Sequence, residues 1–92
     1  MAVTILIPAP LRRFTEDRAA VQVEAKTVAE ALAKLDELYP GIRERICEPD
    51  GRVRRFVSIF VNGKDIRSLQ GVETLLADGD EVGIIPAMAG GR

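Results

Sequence analysis

The sequence predicts an α+β fold, a mixed sheet of four or five strands with one main helix packed across it. Three observations carry that expectation. Two β-rich stretches precede a single amphipathic stretch with a marked start and stop; two more, joined by Asn62-Gly63, follow it; and a last apolar-alternating run, Glu81 to Pro86, closes the order.

Val3 to Ile7 is almost entirely β-branched or leucine and ends at the Pro8-Ala9-Pro10 breaker, so it reads as a central strand buried on both faces. Leu11 to Phe14 then briefly resumes pairing. Ala20 to Ala25 alternates apolar with polar residues and pairs with the first strand as a half-buried hairpin partner.

Thr27 and Glu30 form a capping box, with the hydroxyl accepting from the Glu30 amide and the carboxylate returning to the Thr27 amide. Val28, Ala31, Leu32, Leu35, Leu38 and Tyr39 fall at helical spacing on one stripe, opposite Glu30, Lys34, Asp36 and Glu37. Pro40-Gly41 ends the helix, because proline cannot supply the next amide and glycine accepts the left-handed conformation beyond a helix end. Gly41 to Gly51 is a connection holding one short helical turn through Ile42 to Cys47.

Val53 to Val61 reads as a long strand with Val57, Ile59 and Val61 on one face and Arg54, Phe56, Ser58 and Phe60 on the other. Asn-Gly suits a two-residue type I′ turn, in which both central residues need positive φ, so Lys64 to Arg67 should pair back. Gly71 to Leu76 holds a helical turn carrying Val72 and Leu75 inward, and Ala77 to Asp80 is a turn. In Glu81 to Pro86, Val82 and Ile84 point one way and Gly83 and Ile85 the other. Two hairpins flanking one helix, with the first and last strands parallel at the sheet's centre and the helix as crossover, is the β-grasp or ubiquitin-like arrangement.

At 92 residues the chain suits one domain that buries about 60–65% of its unfolded surface. The expected division is a body over residues 1–86 and a flexible Gly-Gly tail over 87–92. Thirteen basic residues against fourteen acidic ones supply no global field toward nucleic acid or an anionic membrane. No apolar run approaches the ~20 residues of a membrane span, and no signal segment opens the chain, so no membrane partner and a cytoplasmic location are expected. One cysteine and no histidine remove disulfides, Cys/His zinc sites and Ser-His-Asp or Cys-His catalysis. No metal site, no cofactor held by the chain and no enzymatic activity of its own are expected. Cys47 reads as a passive, half-buried thiol.

The chain ends Pro86-Ala87-Met88-Ala89-Gly90-Gly91-Arg92. Two glycines near a terminus are often merely a loose end. They also lack Cβ atoms, so an extended Gly-Gly can enter a narrow channel and deliver its carboxylate to a distant active site. A carboxylate does not react with sulfide unaided, and an acyl-adenylate made with ATP would provide the leaving group.

Val3-Thr4-Ile5-Leu6-Ile7-Pro8, Arg55-Phe56-Val57-Ser58-Ile59-Phe60-Val61-Asn62, and Ala77-Asp78-Gly79-Asp80-Glu81-Val82 leading to Ile85-Pro86-Ala87-Met88-Ala89-Gly90-Gly91 are spread over nearly the whole chain. With them the sequence resembles the ubiquitin-like sulfur carriers of the ThiS/MoaD family, and in particular its cysteine-biosynthesis branch. The resemblance implies that an E1-like, MoeB-type enzyme uses ATP to adenylate the Gly91 carboxylate, with Gly90, Ala89 and Met88 as the threaded tail. Sulfur transfer then gives a thiocarboxylate. It implies a sulfur-accepting partner, a PLP-dependent cysteine synthase first and molybdopterin synthase next. Arg92 departs from the family pattern, in which the second glycine is last. Either a JAMM-type peptidase removes it by cutting between Gly91 and Arg92, or it is a residue left from expression. Conjugation to lysines as a protein modifier, and a non-catalytic binding module with an inert tail, remain competing functions.

If the helix covers the Val57/Ile59/Val61 face, Phe56, Phe60 and Ile85 lie on the other side of the sheet near the tail. They are then either a partner interface or ordinary strand formers. Arg54, with Arg12, Arg13 and Arg55, could rim that surface and meet acidic partner residues.

Overall fold

In the computed structural model, described over residues 1–86, the order is β1 (Ala2–Leu6), β2 (Ala20–Glu24), α1 (Val28–Leu38), α2 (Ile42–Ile46), β3 (Val57–Val61), β4 (Lys64–Asp65) and β5 (Glu81–Pro86). Short 3₁₀ turns cover Ala9–Phe14, Ile66–Ser68 and Gly71–Glu73. The five strands form one sheet in the order β2-β1-β5-β3-β4. β1 and β5 are parallel, with Ile5 in register with Val82, and every other neighbouring pair is antiparallel. This is the expected mixed sheet, with β5 at its centre.

One face of the sheet and α1 enclose the core. Val3, Ile5, Ile59, Val82 and Ile84 from the sheet meet Val28, Ala31, Leu32 and Leu35 from α1, all at most 3% exposed. At roughly 1.5–3 kcal/mol per buried aliphatic side chain, this layer is the main source of stability. Thr27 Oγ1 accepts from the Glu30 amide at 3.1 Å, as the capping box requires. The Glu30 carboxylate bonds the Lys26 amide at 2.6 Å instead of the Thr27 amide, one residue earlier than expected. Gly41, at φ 101°, lets the chain reverse, and Asp36 Oδ1 accepts from the amides of Gly41 and Arg43 at 3.1 Å each to start α2.

Several expectations are corrected. β1 is buried on one face only: Val3 and Ile5 are buried while Leu6 is 40% exposed. Leu11 to Phe14 does not pair with the sheet but lies in the Ala9–Phe14 3₁₀ helix, because Pro10 brings no amide and a fixed φ near its start. The β3 strand begins at Val57; Val53 forms only an isolated bridge with Cys47. β4 stops at Asp65 because that carboxylate caps the next turn by accepting from the Arg67 amide at 2.8 Å. Leu38 and Leu75 are exposed, at 56% and 73%, and Leu76 is the buried member of its pair. The Asn62-Gly63 turn is as expected, with φ of 50° and 86°.

Candidate functional site

β1 and β5 run the same way, so their final residues lie at one end of the sheet. Antiparallel β3 begins there, with Val57 opposite Pro86. The predicted tail residues Met88, Ala89, Gly90, Gly91 and Arg92 lie outside the described residues. The end from which they continue is built by Pro86 and its neighbours.

Beside that end, the sheet face turned away from α1 carries an apolar surface. The register sets Leu6 beside Gly83, Gly83 beside Phe60, and Ile85 beside Ser58. Residues directly opposite in a sheet share a face, so Leu6, Phe60 and Ile85 surround Gly83. Ile85 is 54% exposed and Phe56, just before β3, 63%; Phe60 is half-buried. A Cβ added at Gly83 would meet nothing within 4 Å, so the glycine leaves a shallow dip between its larger neighbours. Two of the predicted interface residues, Phe60 and Ile85, thus share the outer face, while Phe56 is exposed in the turn that the Val57 amide closes onto the Arg54 carbonyl before β3 begins. The expectation of a doubly buried β1 overlooked Leu6. Thr4, two residues earlier on the same face, is the signal that one side of this strand meets water.

Arg54, predicted to rim this surface, is engaged elsewhere. Its Nε donates to the Glu44 carbonyl at 2.7 Å, its Nη1 to Glu48 at 3.1 Å, and its amide to the Ile46 carbonyl at 2.9 Å. These bonds brace α2 against the chain entering β3. Arg55 stays with the surface, its guanidinium 5.8 Å from the centroid of the Phe56 ring. Arg12 bonds the Ile7 carbonyl at 3.0 Å, and Arg13 lies 5.1 Å from the Phe14 ring.

The Asp78-Gly79-Asp80 turn fixes the opposite end of β5. Asp78 accepts from the Ala2 amide at 2.8 Å, and Asp80 from the Ala77 amide at 2.8 Å and from Asn62 Nδ2 at 2.9 Å. Asn62 Oδ1 accepts in turn from the Glu81 amide at 3.0 Å. Two loops and the N-terminal strand are so tied to the start of β5, and the motif works as a clamp on the central strand.

Cys47 is buried, and burial pushes its thiol above the ordinary value of 9.0, against the opposing pull of Arg43 and Arg54. A protonated, enclosed thiol is a poor nucleophile. Among the described residues no cluster of histidine, cysteine or acidic side chains is arranged to hold a metal ion, and no helix is long and apolar enough to cross a membrane. This end of the sheet presents the segment that follows Pro86 beside an exposed apolar surface.

A family model described as the ThiS family matches residues 5–91. The sulfur carrier protein CysO of Mycobacterium tuberculosis is 42% identical over 93 residues, covering 99% of this chain and 100% of the relative. The crystal structure of the Amycolatopsis orientalis BexX/CysO complex contains a chain of similar fold, with TM-score 0.91, 34% identity, and coverage of 96% of this chain and 98% of that one. Small archaeal modifier protein 3 of Haloferax volcanii is 40% identical over 65 residues, covering 71% of this chain and 70% of the relative.

Proposed function

The chain belongs to the ThiS family, and from that premise we propose that it is a sulfur carrier whose Gly91 carboxylate is the loading point. An E1-like, MoeB-type enzyme adenylates that carboxylate with ATP. Attack by a sulfur nucleophile on the acyl-adenylate expels AMP and leaves a thiocarboxylate, whose sulfur a biosynthetic enzyme then takes. A PLP-dependent cysteine synthase is the first candidate for that acceptor, molybdopterin synthase the second. With Arg92 attached, Gly91 has no free carboxylate, so a JAMM-type peptidase removes Arg92 first. The single observation that carries this reading is a family match extending through residue 91 and so including both glycines. The apolar face formed by Leu6, Phe60 and Ile85 supports it, because the activating enzyme needs a surface to hold while the tail enters its active site.

Incubation of the chain with an E1-like enzyme, ATP and sulfide tests it by intact mass. The expected product carries one oxygen-to-sulfur exchange and forms only after Arg92 is removed. Equal conversion of the intact chain refutes the processing step, and no conversion of a chain ending at Gly91 by any MoeB-type enzyme refutes the carrier reading. The likeness to a small archaeal modifier protein favours a second reading, conjugation of Gly91 to lysines of other proteins. Isopeptide-linked ladders in place of thiocarboxylate would establish that one.

A further inference from the structure

Asn62 and Gly63, the turn between β3 and β4, are both exposed, and Asn62 is the chain's one asparagine. An asparagine side chain that precedes glycine is open to attack by the next backbone nitrogen, because no Cβ shields that nitrogen. Here the nucleophile is free. A Cβ built on Gly63 would meet nothing within 4 Å, and among the described residues the Gly63 amide donates no hydrogen bond. The electrophile is held. Asn62 Nδ2 donates to Asp80 Oδ1 at 2.9 Å, and Asn62 Oδ1 accepts from the Glu81 amide at 3.0 Å, so the side-chain amide is tied on both sides to the start of β5. Attack needs the side chain to rotate until Cγ meets the Gly63 nitrogen. That rotation breaks both bonds and takes Asn62 out of its left-handed turn conformation at φ 50°. The Asp80 carboxylate opposes the step as well, because the attacking nitrogen anion must approach a group that already meets a negative charge.

We propose that Asn62-Gly63 is a site of self-modification, deamidation through a cyclic imide, and that the bond to Asp80 sets its rate. The Gly63 nitrogen loses its proton to hydroxide and attacks Asn62 Cγ. The new C–N bond replaces the Cγ–Nδ2 bond, and Nδ2 leaves as ammonia with a proton taken from water. Water then opens the imide at either carbonyl and leaves aspartate or isoaspartate at position 62. Neither product restores the clamp. A carboxylate has no N–H to offer Asp80, so two negative groups take the place of a 2.9 Å hydrogen bond. Isoaspartate also lengthens the backbone by one carbon, which a two-residue turn between paired strands does not accommodate. The change is one-way: it loosens the start of β5 and marks chains whose clamp has been open. It rests on the turn alone and not on sulfur chemistry.

The full chain is incubated in mildly alkaline buffer, folded and in urea, and its intact mass is followed for the gain of about one mass unit that exchanging ammonia for water brings. Peptide mapping places the gain at position 62. The folded parent should convert at least about tenfold more slowly than the chain in urea, and folded Asp80→Ala at least about tenfold faster than the folded parent, the factor lost with one charge-assisted hydrogen bond. In urea, Gly63→Ala should convert far more slowly than the parent. The converted chain, separated by its added negative charge, should melt below the unconverted one. Equal rates for the folded and unfolded parent would overturn the proposal, as would a converted chain of unchanged Tm or a Gly63→Ala chain that converts in urea as fast as the parent. Folded Asp80→Ala converting no faster than the parent would overturn it too; where circular dichroism shows that variant unfolded, the two rates of the parent decide.

Discussion

Ile84 and Ile85 are chain neighbours on β5 with opposite surroundings, 3% and 54% exposed, and truncating each to alanine separates the two faces of the sheet. Ile84→Ala removes three fully buried carbons, worth about 2.4 kcal/mol at 0.8 kcal/mol each, and the cavity left behind adds roughly 1 kcal/mol. Ile85→Ala removes the same atoms where water already reaches about half of the side chain, so the transfer loss is at most about 1.2 kcal/mol and no cavity forms. The difference of about 2 kcal/mol corresponds to roughly 8–16 °C in Tm for a domain of this size. Thermal unfolding followed by circular dichroism reads it directly. Equal losses in Tm would refute the assignment of Ile85 to the outer face. The proposed carrier function adds the reverse order in a binding assay with an E1-like enzyme: Ile85→Ala should weaken binding, and Ile84→Ala, below its own Tm, should not.

Thr27→Ala deletes the oxygen that accepts from the Glu30 amide and should cost about 1 kcal/mol in urea unfolding with an unchanged m-value. Gly63→Ala places a Cβ at φ 86° and should cost at least about 1 kcal/mol, whereas Gly83→Ala meets nothing within 4 Å and should leave Tm nearly unchanged while filling the dip in the outer sheet face. The raised pKa of Cys47 means that the folded chain holds the thiol proton more tightly than the unfolded chain does. Its contribution is therefore complete below pH 9 and is lost as pH rises through the folded value. Unfolding free energy of the parent chain should fall more steeply above pH 9 than that of Cys47→Ala; parallel curves would mean that the thiol is not enclosed.

The features legible in the sequence are those set by neighbouring residues. Asn62-Gly63 specifies its turn by its own φ preferences, Thr27 and Glu30 mark the helix start, and the alternation of Val82 and Ile84 with Gly83 and Ile85 assigns the faces of β5. Where the reading failed, distant parts of the chain decided. Leu6 is as apolar as Ile5, and it is exposed because among the described residues no second layer covers that face of the sheet. Leu75 and Leu76 are equivalent in composition; the backbone bond from the Leu76 amide to the Lys26 carbonyl, 2.8 Å, sets which one turns inward. The same holds for the functional surface. Phe60 and Ile85 follow from strand alternation, but Leu6 joins them through the parallel pairing of β1 with β5, which no local pattern encodes, and Phe56 falls in a turn before β3 where alternation does not apply. The bonds of Arg54 to the Glu44 carbonyl and to Glu48 are not legible locally, because they reach back to the short helix α2 and the turn after it, which have little periodicity of their own.

The placement of β5 between a parallel and an antiparallel neighbour has a mechanical corollary. A pull applied beyond Pro86 along the strand axis meets the ladders to β1 and β3 side by side, so the bonds share the load in shear instead of opening one at a time as in peeling. The clamp of Asp78, Asp80 and Asn62 anchors the far end of the same strand. The strand that carries the load is therefore held along both of its edges and at its far end.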